Sequence, residues 1–89
     1  MWQQYRRRLA VRERLCETAE AAFRAAYPDR QPFMVGVFHQ DDLVAIVQIC
    51  YGDTRPPQRS WWRVALEGTA CRELSHEETQ RIKPIPVWR

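Results

Sequence analysis

The segment from Trp2 to Tyr27 contains neither glycine nor proline and is rich in Ala, Glu, Arg, Leu and Gln. These residue types have high helix propensity, so the segment predicts one long helix. Pro28 ends it, because a proline disfavours helical geometry in the residue before it. Apolar residues recur three or four positions apart and predict one buried face. That stripe consists of Tyr5, Leu9, Cys16, Ala19, Phe23 and Ala26, and it is widened by Leu15 and Ala22.

The middle of the chain has the pattern of antiparallel strands. Residues from Phe33 to His39 and from Leu43 to Tyr51 are mainly aromatic or β-branched, which favours strands. Only Gln40-Asp41-Asp42 separates them, so they predict a hairpin. From Trp61 to Glu67, apolar side chains alternate with a set that includes charged ones, which predicts a third strand with one solvent-exposed face. The segment from Gly52 to Ser60 between them holds two prolines and predicts a stiff loop.

The carboxyl-terminal part predicts a short helix and an extended tail. Ser75 and Glu78 have the spacing of a capping box, which predicts a helix from there to about Lys83. Pro84 stops it. The tail from Ile85 to Arg89 is apolar at several positions. We expect it either to lie across an exposed sheet face or to add an edge strand.

These elements predict one α+β domain over residues 1–89. A chain of 89 residues cannot be divided into two units that each bury a core. The expected architecture is a long N-terminal helix packed on a three-stranded antiparallel sheet, with a short C-terminal helix and the extended tail. The sheet becomes four-stranded if the tail adds a strand.

The predicted order of helix, three strands and helix resembles that of the double-stranded-RNA-binding domain. In that family, the grip on RNA comes from a lysine-rich start to the second helix and a Gly-Pro-x-His loop between the first strands. Here those places hold Ser75-His76-Glu77-Glu78 and Gln40-Asp41-Asp42. The resemblance is therefore one of topology, and no residue role follows from it.

Composition favours a cytoplasmic protein. No apolar run approaches the roughly 18 residues that span a bilayer, and the amino end lacks the hydrophobic segment of a signal peptide. We therefore expect no membrane partner. The three cysteines, Cys16, Cys50 and Cys71, are widely spaced and form no Cys-x-x-Cys pair. We expect them to be reduced core residues.

One helix covers only one face of the predicted sheet, yet both faces of the strands carry apolar residues. Phe38, Val44 and Ile46 lie on the face that the helix does not cover. An uncovered apolar face favours self-association or a protein partner, and a homodimer is the simplest form.

Two groups of basic residues are candidate binding sites. Arg55, Arg59 and Arg63 surround Trp61 at the prolyl loop and the third strand, and Arg and Trp are enriched at binding hot spots. Alternation places Trp62 in the core and Trp61 on the more solvent-exposed face of the third strand. The second group is Arg6, Arg7 and Arg8 near the start of the helix, where cations are mildly unfavourable. Either group would suit an anionic partner, although solvated faces with intrahelical ion pairs explain the second group equally.

Nothing in the sequence predicts catalytic, cofactor-binding or metal-ligating residues. His39 and His76 each have neighbouring carboxylates, but neither belongs to a short metal-ligand spacing. The three glycines stand apart and form no phosphate loop. We therefore interpret the chain as a non-enzymatic interaction module, with a regulatory role, that docks on another protein or on itself. The alternative is a nucleic-acid-binding protein that uses its arginine and tryptophan residues; the net charge of +3 is modest for that class.

Overall fold

The computed structural model describes residues 2–67 and 70–82, with side chains from Leu9 onwards. Its elements follow the order helix, four strands and helix. They are α1 (Trp2–Ala26), β1 (Pro32–Gln40), β2 (Val44–Tyr51), β3 (Gln58–Ala65), β4 (Cys71–Glu73) and α2 (His76–Gln80). The four strands form one antiparallel sheet in the order β1-β2-β3-β4. The α+β architecture predicted from the sequence is confirmed.

The long helix ends where the sequence predicted, and the middle of its predicted stripe lies against the sheet. Leu15, Ala19 and Phe23 are fully buried there, and these positions follow one another at intervals of four. Cys16 and Ala22 are half-buried and pack beside them.

The two ends of the predicted stripe differ from its middle. The prediction that Leu9 and Ala26 belong to the buried face is wrong, because both are exposed. The side chain of Tyr5 lies outside the described residues.

The core lies between this row and one face of the sheet. Ala45, Val47 and Ile49 of β2 are buried there, together with Trp62 and Val64 of β3. Register explains the arrangement, since Val47 lies opposite Trp62 and Ala45 lies opposite Val64. Directly opposite residues of an antiparallel pair share a face. The prediction that Trp62 is a core residue is confirmed.

The fourth strand is Cys71–Glu73, which pairs with β3. The sequence offered the tail as the source of a fourth strand, but three residues between the third strand and α2 supply one instead. The tail lies outside the described residues. Strand β3 also begins earlier than predicted, at Gln58 instead of Trp61, and it ends at Ala65 instead of Glu67.

The short helix α2 starts as the sequence predicted. The Ser75 hydroxyl accepts a hydrogen bond from the Glu78 amide at 3.2 Å, and the Glu78 carboxylate accepts one from the Ser75 amide at 2.9 Å. This reciprocal pair is the capping box. The described helix ends at Gln80, somewhat before the predicted Lys83.

Candidate functional site

The sheet face that points away from α1 is called the outer face here. Alternation along β3 places Arg59, Trp61 and Arg63 on it, because Ser60, Trp62 and Val64 are buried on the helix side. We call these three residues the arginine–tryptophan row. Both arginines are exposed, and Trp61 is half-buried. The structure therefore aligns three of the residues that the sequence selected.

Trp61 is held by an aromatic contact across the sheet. The rings of Trp61 and Phe38 have centroids 4.8 Å apart and planes at 79°. In this geometry the edge of one ring meets the face of the other, which is a favourable arrangement for aromatic pairs. Phe38 comes from β1, two strands away, and Gln48 of β2 lies opposite both Trp61 and Gly36. The indole is therefore a fixed part of the surface.

The guanidinium groups of the arginine–tryptophan row are available to a binding partner. Within the described ranges, neither Arg59 nor Arg63 has a hydrogen bond or ion pair from its side chain. By contrast, Arg24 on α1 pairs with Glu20 at 3.0 Å. Two guanidinium groups on either side of an indole supply donors that a partner can use without first breaking contacts inside the protein.

The carboxyl-terminal end of the row meets β4. Arg63 lies directly opposite Arg72, a cross-strand pair of like charges, which is unfavourable by itself. Arg72 donates two hydrogen bonds to the Glu78 carboxylate, both at 2.8 Å. We call these two hydrogen bonds the Arg72–Glu78 fork. Together with the hydrogen bond from the Ser75 amide, they lower the pKa of Glu78 to about 2. The Glu78 carboxylate therefore compensates the charge of Arg72. The guanidinium group of Arg63 stays available to a ligand or to solvent.

A shallow concavity of about 320 Å³ lies beside β3 and β4. It is lined by Val44, Arg63, Ala65, Ala70, Cys71 and Arg72. A nearby carboxylate belongs to Asp41 in the β1–β2 turn. Its pKa is lowered, chiefly by hydrogen bonds from the amides of Val44 and Leu43, with smaller electrostatic contributions from His39 and Arg63. Asp41 is therefore occupied in closing the turn.

The other residues selected from the sequence lie apart from the row. Arg55 is exposed in the loop between β2 and β3, before the cis-proline Pro56. Arg6, Arg7 and Arg8 belong to α1, which packs on the opposite face of the sheet. Their side chains are outside the described residues. The structure thus assigns the two basic groups to different layers of the molecule.

Sequence reasoning missed a polar cluster at the carboxyl end of α1. The Tyr27 hydroxyl donates a hydrogen bond to the Glu73 carboxylate, and the Ser60 hydroxyl donates another at 2.9 Å. Arg30 lies 4.0 Å from the centre of the Tyr27 ring and donates a hydrogen bond to the Tyr51 hydroxyl at 3.0 Å. These residues come from four separate segments, so no local pattern could have revealed the cluster.

The histidines and cysteines form no recognisable reactive centre in the part of the chain that the structure describes. His39 is exposed near the end of β1, and His76 is exposed at the start of α2, beside Gln80. No group of three His, Cys, Asp or Glu residues in residues 2–67 and 70–82 could hold a metal ion. The cysteines are free thiols; Cys50 is buried, and Cys16 and Cys71 are half-buried beside the core. Burial raises the pKa of the Cys16 and Cys71 thiols, which lowers their reactivity.

Comparison with protein-family models, curated proteins and solved structures finds no match to this chain. None of the described helices is both long and apolar enough to cross a membrane. Interpretation of the outer face therefore depends on its own geometry.

Proposed function

We propose that this protein is a non-enzymatic interaction module that docks on an acidic protein surface through the arginine–tryptophan row. One observation supports this most directly: Arg59 and Arg63 flank Trp61 on the outer face while their guanidinium groups lack partners among the described residues. Arg forms bidentate bonds with carboxylates, and Trp contributes a large contact area. The expected partner presents carboxylates on either side of an apolar residue. A cytoplasmic location and a regulatory role remain part of this proposal.

The Phe38 contact favours a protein partner over nucleic acid. Single-stranded nucleic acids bind by stacking bases on open aromatic faces. Trp61 is half-buried and packs against Phe38, so only part of its ring surface is open to a stacked base. Glu78 neutralises Arg72, so the positive charge beside the indole is limited to a small patch. A protein side chain that packs beside the indole requires less open ring surface.

Nucleic-acid binding stays the second candidate because arginines and an indole share one sheet face. In that case, the arginines would neutralise phosphates and affinity would fall steeply with salt. Replacement of Arg59 or Arg63 would then lower the salt dependence of binding. Because salt also weakens ion pairs with carboxylates, the two candidates are separated chiefly by which probe the protein binds.

The test is a titration of the ¹⁵N-labelled protein, followed by NMR, with two probes. One probe is an acidic peptide in which Glu alternates with Leu and Phe, and the other is a short oligothymidylate. We expect the peptide to shift the amide signals of β3, and the double variant Arg59→Ala/Arg63→Ala to bind it at least about tenfold more weakly. Arg24→Ala is the matched control, since Arg24 is an exposed arginine on the opposite layer.

Three results would speak against the proposal. Peptide binding that the double variant leaves unchanged would remove the row from the interface. Peptide signals confined to α1 would place the interface on the other layer. Binding of the oligothymidylate alone, with a salt dependence that the double variant flattens, would replace the protein partner with nucleic acid.

A further inference from the structure

Strand β1 is an open edge of the described sheet. It is the first strand in the order β1-β2-β3-β4, and it pairs only with β2. Its outer backbone groups have no ladder partner within residues 2–67 and 70–82. The opposite edge, β4, has three residues, whereas β1 has nine. A long edge strand with unpaired N–H and C=O groups is a template for another strand.

The proline and the pairing irregularities that protect this edge lie toward the ends of β1, and its middle, residues 34–37, carries no such protection. No charged residue occurs between Pro32 and Phe38. Natural edges are commonly blocked by lysine or another charge. Phe33 and Met34 are 59% and 55% exposed, which is high for side chains of this size. The two irregularities in pairing with β2 lie toward the ends, between Pro32 and Met34 and between Val37 and His39. Gly36 therefore lies in the regular part of the strand.

Symmetry limits how β1 can pair with a second copy of itself, and the pairing about its midpoint overlaps the whole strand. Two antiparallel strands related by a two-fold axis must place one residue opposite its own copy, because directly opposite residues share a sheet face. Gly36 is the midpoint of Pro32–Gln40. Pairing about Gly36 sets Val35 opposite Val37 of the second copy and Met34 opposite Phe38, so apolar residues meet on both faces. An added Cβ at Gly36 would meet no atom within 4 Å, so this central position is open.

Charges at the two ends of β1 favour the antiparallel direction. Arg30 precedes the strand, and Asp41 and Asp42 follow it. In the pairing about Gly36, the end of β1 that follows Arg30 lies beside the end of the second copy that precedes Asp41 and Asp42, and the same holds at the other end. A parallel pairing would bring like charges together instead, which is unfavourable. The flanking charges are thus complementary to those of a second copy of this chain.

We propose that two copies of this chain associate through their β1 edges, antiparallel and centred on Gly36, to form one continuous eight-stranded sheet. Both α1 helices then lie on one face and both arginine–tryptophan rows on the other. The two β3 strands are five strand spacings apart, or about 24 Å. The assembled outer face presents two docking sites at a fixed separation, which increases the avidity for a partner with a repeated acidic surface. The edge pairing itself does not depend on the proposed acidic partner.

The test uses opposite charges at Gly36. We expect the wild-type protein to show a concentration-dependent dimer by analytical ultracentrifugation, without any added ligand. Gly36→Lys and Gly36→Asp each place two like charges across the two-fold axis, so each alone should weaken dimerisation at least about tenfold. An equimolar mixture places Lys opposite Asp and should restore the dimer. Leu43→Lys is the control, because it adds the same charge at an exposed apolar residue outside the strand.

Circular dichroism establishes that the variants fold, and hydrogen exchange of the wild type gives an independent readout. Amides of β1 should become more protected as protein concentration rises, while those of β4 should not. A wild-type monomer at all concentrations would overturn the proposal. A dimer that persists in both Gly36 variants, or one that Leu43→Lys alone abolishes, would do the same. These readouts require no peptide probe, so failure of the edge pairing is distinct from failure of the acidic docking site.

Discussion

The Tyr27 hydroxyl donates a hydrogen bond to the Glu73 carboxylate and thereby joins the residue after α1 to β4. Glu73 lies opposite Trp62 on the helix side of the sheet, and Ser60 donates to its second oxygen. The carboxylate is half-buried and has two hydroxyl donors. This contact joins the end of the helix to β4 and, through Ser60, to β3, so it ties the helix layer to the sheet.

Removing the Tyr27 hydroxyl tests this connection. Tyr27→Phe keeps the ring contacts with Phe23 and Arg30 but removes the donor. We expect the free energy of unfolding to fall by about 1 kcal/mol, less than the roughly 1.5–3 kcal/mol of a hydrogen bond to a buried charged group, because the pair is only half-buried. Urea denaturation at neutral pH measures it. Glu77→Gln, which alters an exposed carboxylate of α2, is the control, and equal stability of wild type and Tyr27→Phe would contradict the prediction.

The same hydrogen bond raises the pKa of Tyr27 above its ordinary 10.0. The folded state therefore holds this proton more tightly than the unfolded state. The associated stabilisation is complete below the unfolded pKa and is lost as pH rises through the folded pKa. Glu73→Gln should bring the phenol titration closer to its ordinary value, as measured by ultraviolet absorbance.

The Arg72–Glu78 fork should control how the carboxyl-terminal part responds to acid. The pKa of Glu78 is lowered from 4.5 to about 2, mainly by the hydrogen bonds from Arg72. The unfolded state therefore binds this proton first as the pH falls. Stabilisation from this group is present above pH 4.5 and is lost as the pH falls toward 2.

An NMR titration of the Glu78 side-chain carboxyl carbon measures this pKa directly. Arg72→Ala should move the midpoint toward 4.5, because the largest cause of the lowering is removed. Arg81→Ala is the control, since Arg81 is an exposed arginine in the same region whose side chain does not bond to Glu78. A midpoint that stays near 2 in Arg72→Ala would show that the capping amide of Ser75 alone holds the carboxylate ionised.

Two leucines of α1 provide a matched test of the buried stripe. Leu15 is fully buried, and Leu9 is 42% exposed. Leu15→Ala should lower the free energy of unfolding by about 2–5 kcal/mol, because it removes buried methyl groups and leaves a cavity. Leu9→Ala should change it by no more than about 0.5 kcal/mol. Equal losses in the two variants, measured by urea denaturation, would contradict this difference and extend the buried face to Leu9.

Substitutions of the two neighbouring tryptophans should have different effects, one mainly on the stability of the fold and the other on binding of the acidic peptide. Trp62 is buried against Phe23, with ring centroids 6.4 Å apart, so Trp62→Ala should cost about 3–5 kcal/mol. Trp61→Ala loses chiefly the pairing with Phe38 and should cost about 1 kcal/mol. Only Trp61→Ala should weaken binding of the acidic peptide while the protein stays folded. A larger loss of stability from Trp61 than from Trp62 would reverse the assignment of the two sheet faces.

The sequence predicted those parts of the fold that depend on near neighbours. A long segment without glycine or proline before Pro28 specifies α1, and the Ser75–Glu78 spacing specifies the start of α2. The alternation of Trp61 and Trp62 assigned them to opposite faces. In each case the relevant interactions join residues at most four positions apart, or follow from the two-residue period of a strand, so they can be read directly from the chain.

Contacts between distant segments decided the rest. Cys71–Glu73 carries no strand signal of its own and becomes β4 only because β3 offers its edge. Leu15 is in the core and Leu9 is not, although the periodicity places both on the apolar face, because the sheet covers only part of the length of α1. Phe38 meets Trp61, and Tyr27 meets Glu73, only after the strands align. The sequence alone determined the elements and the faces of the strands; the tertiary structure decided which surfaces meet, because those contacts depend on register and packing between segments far apart in the chain.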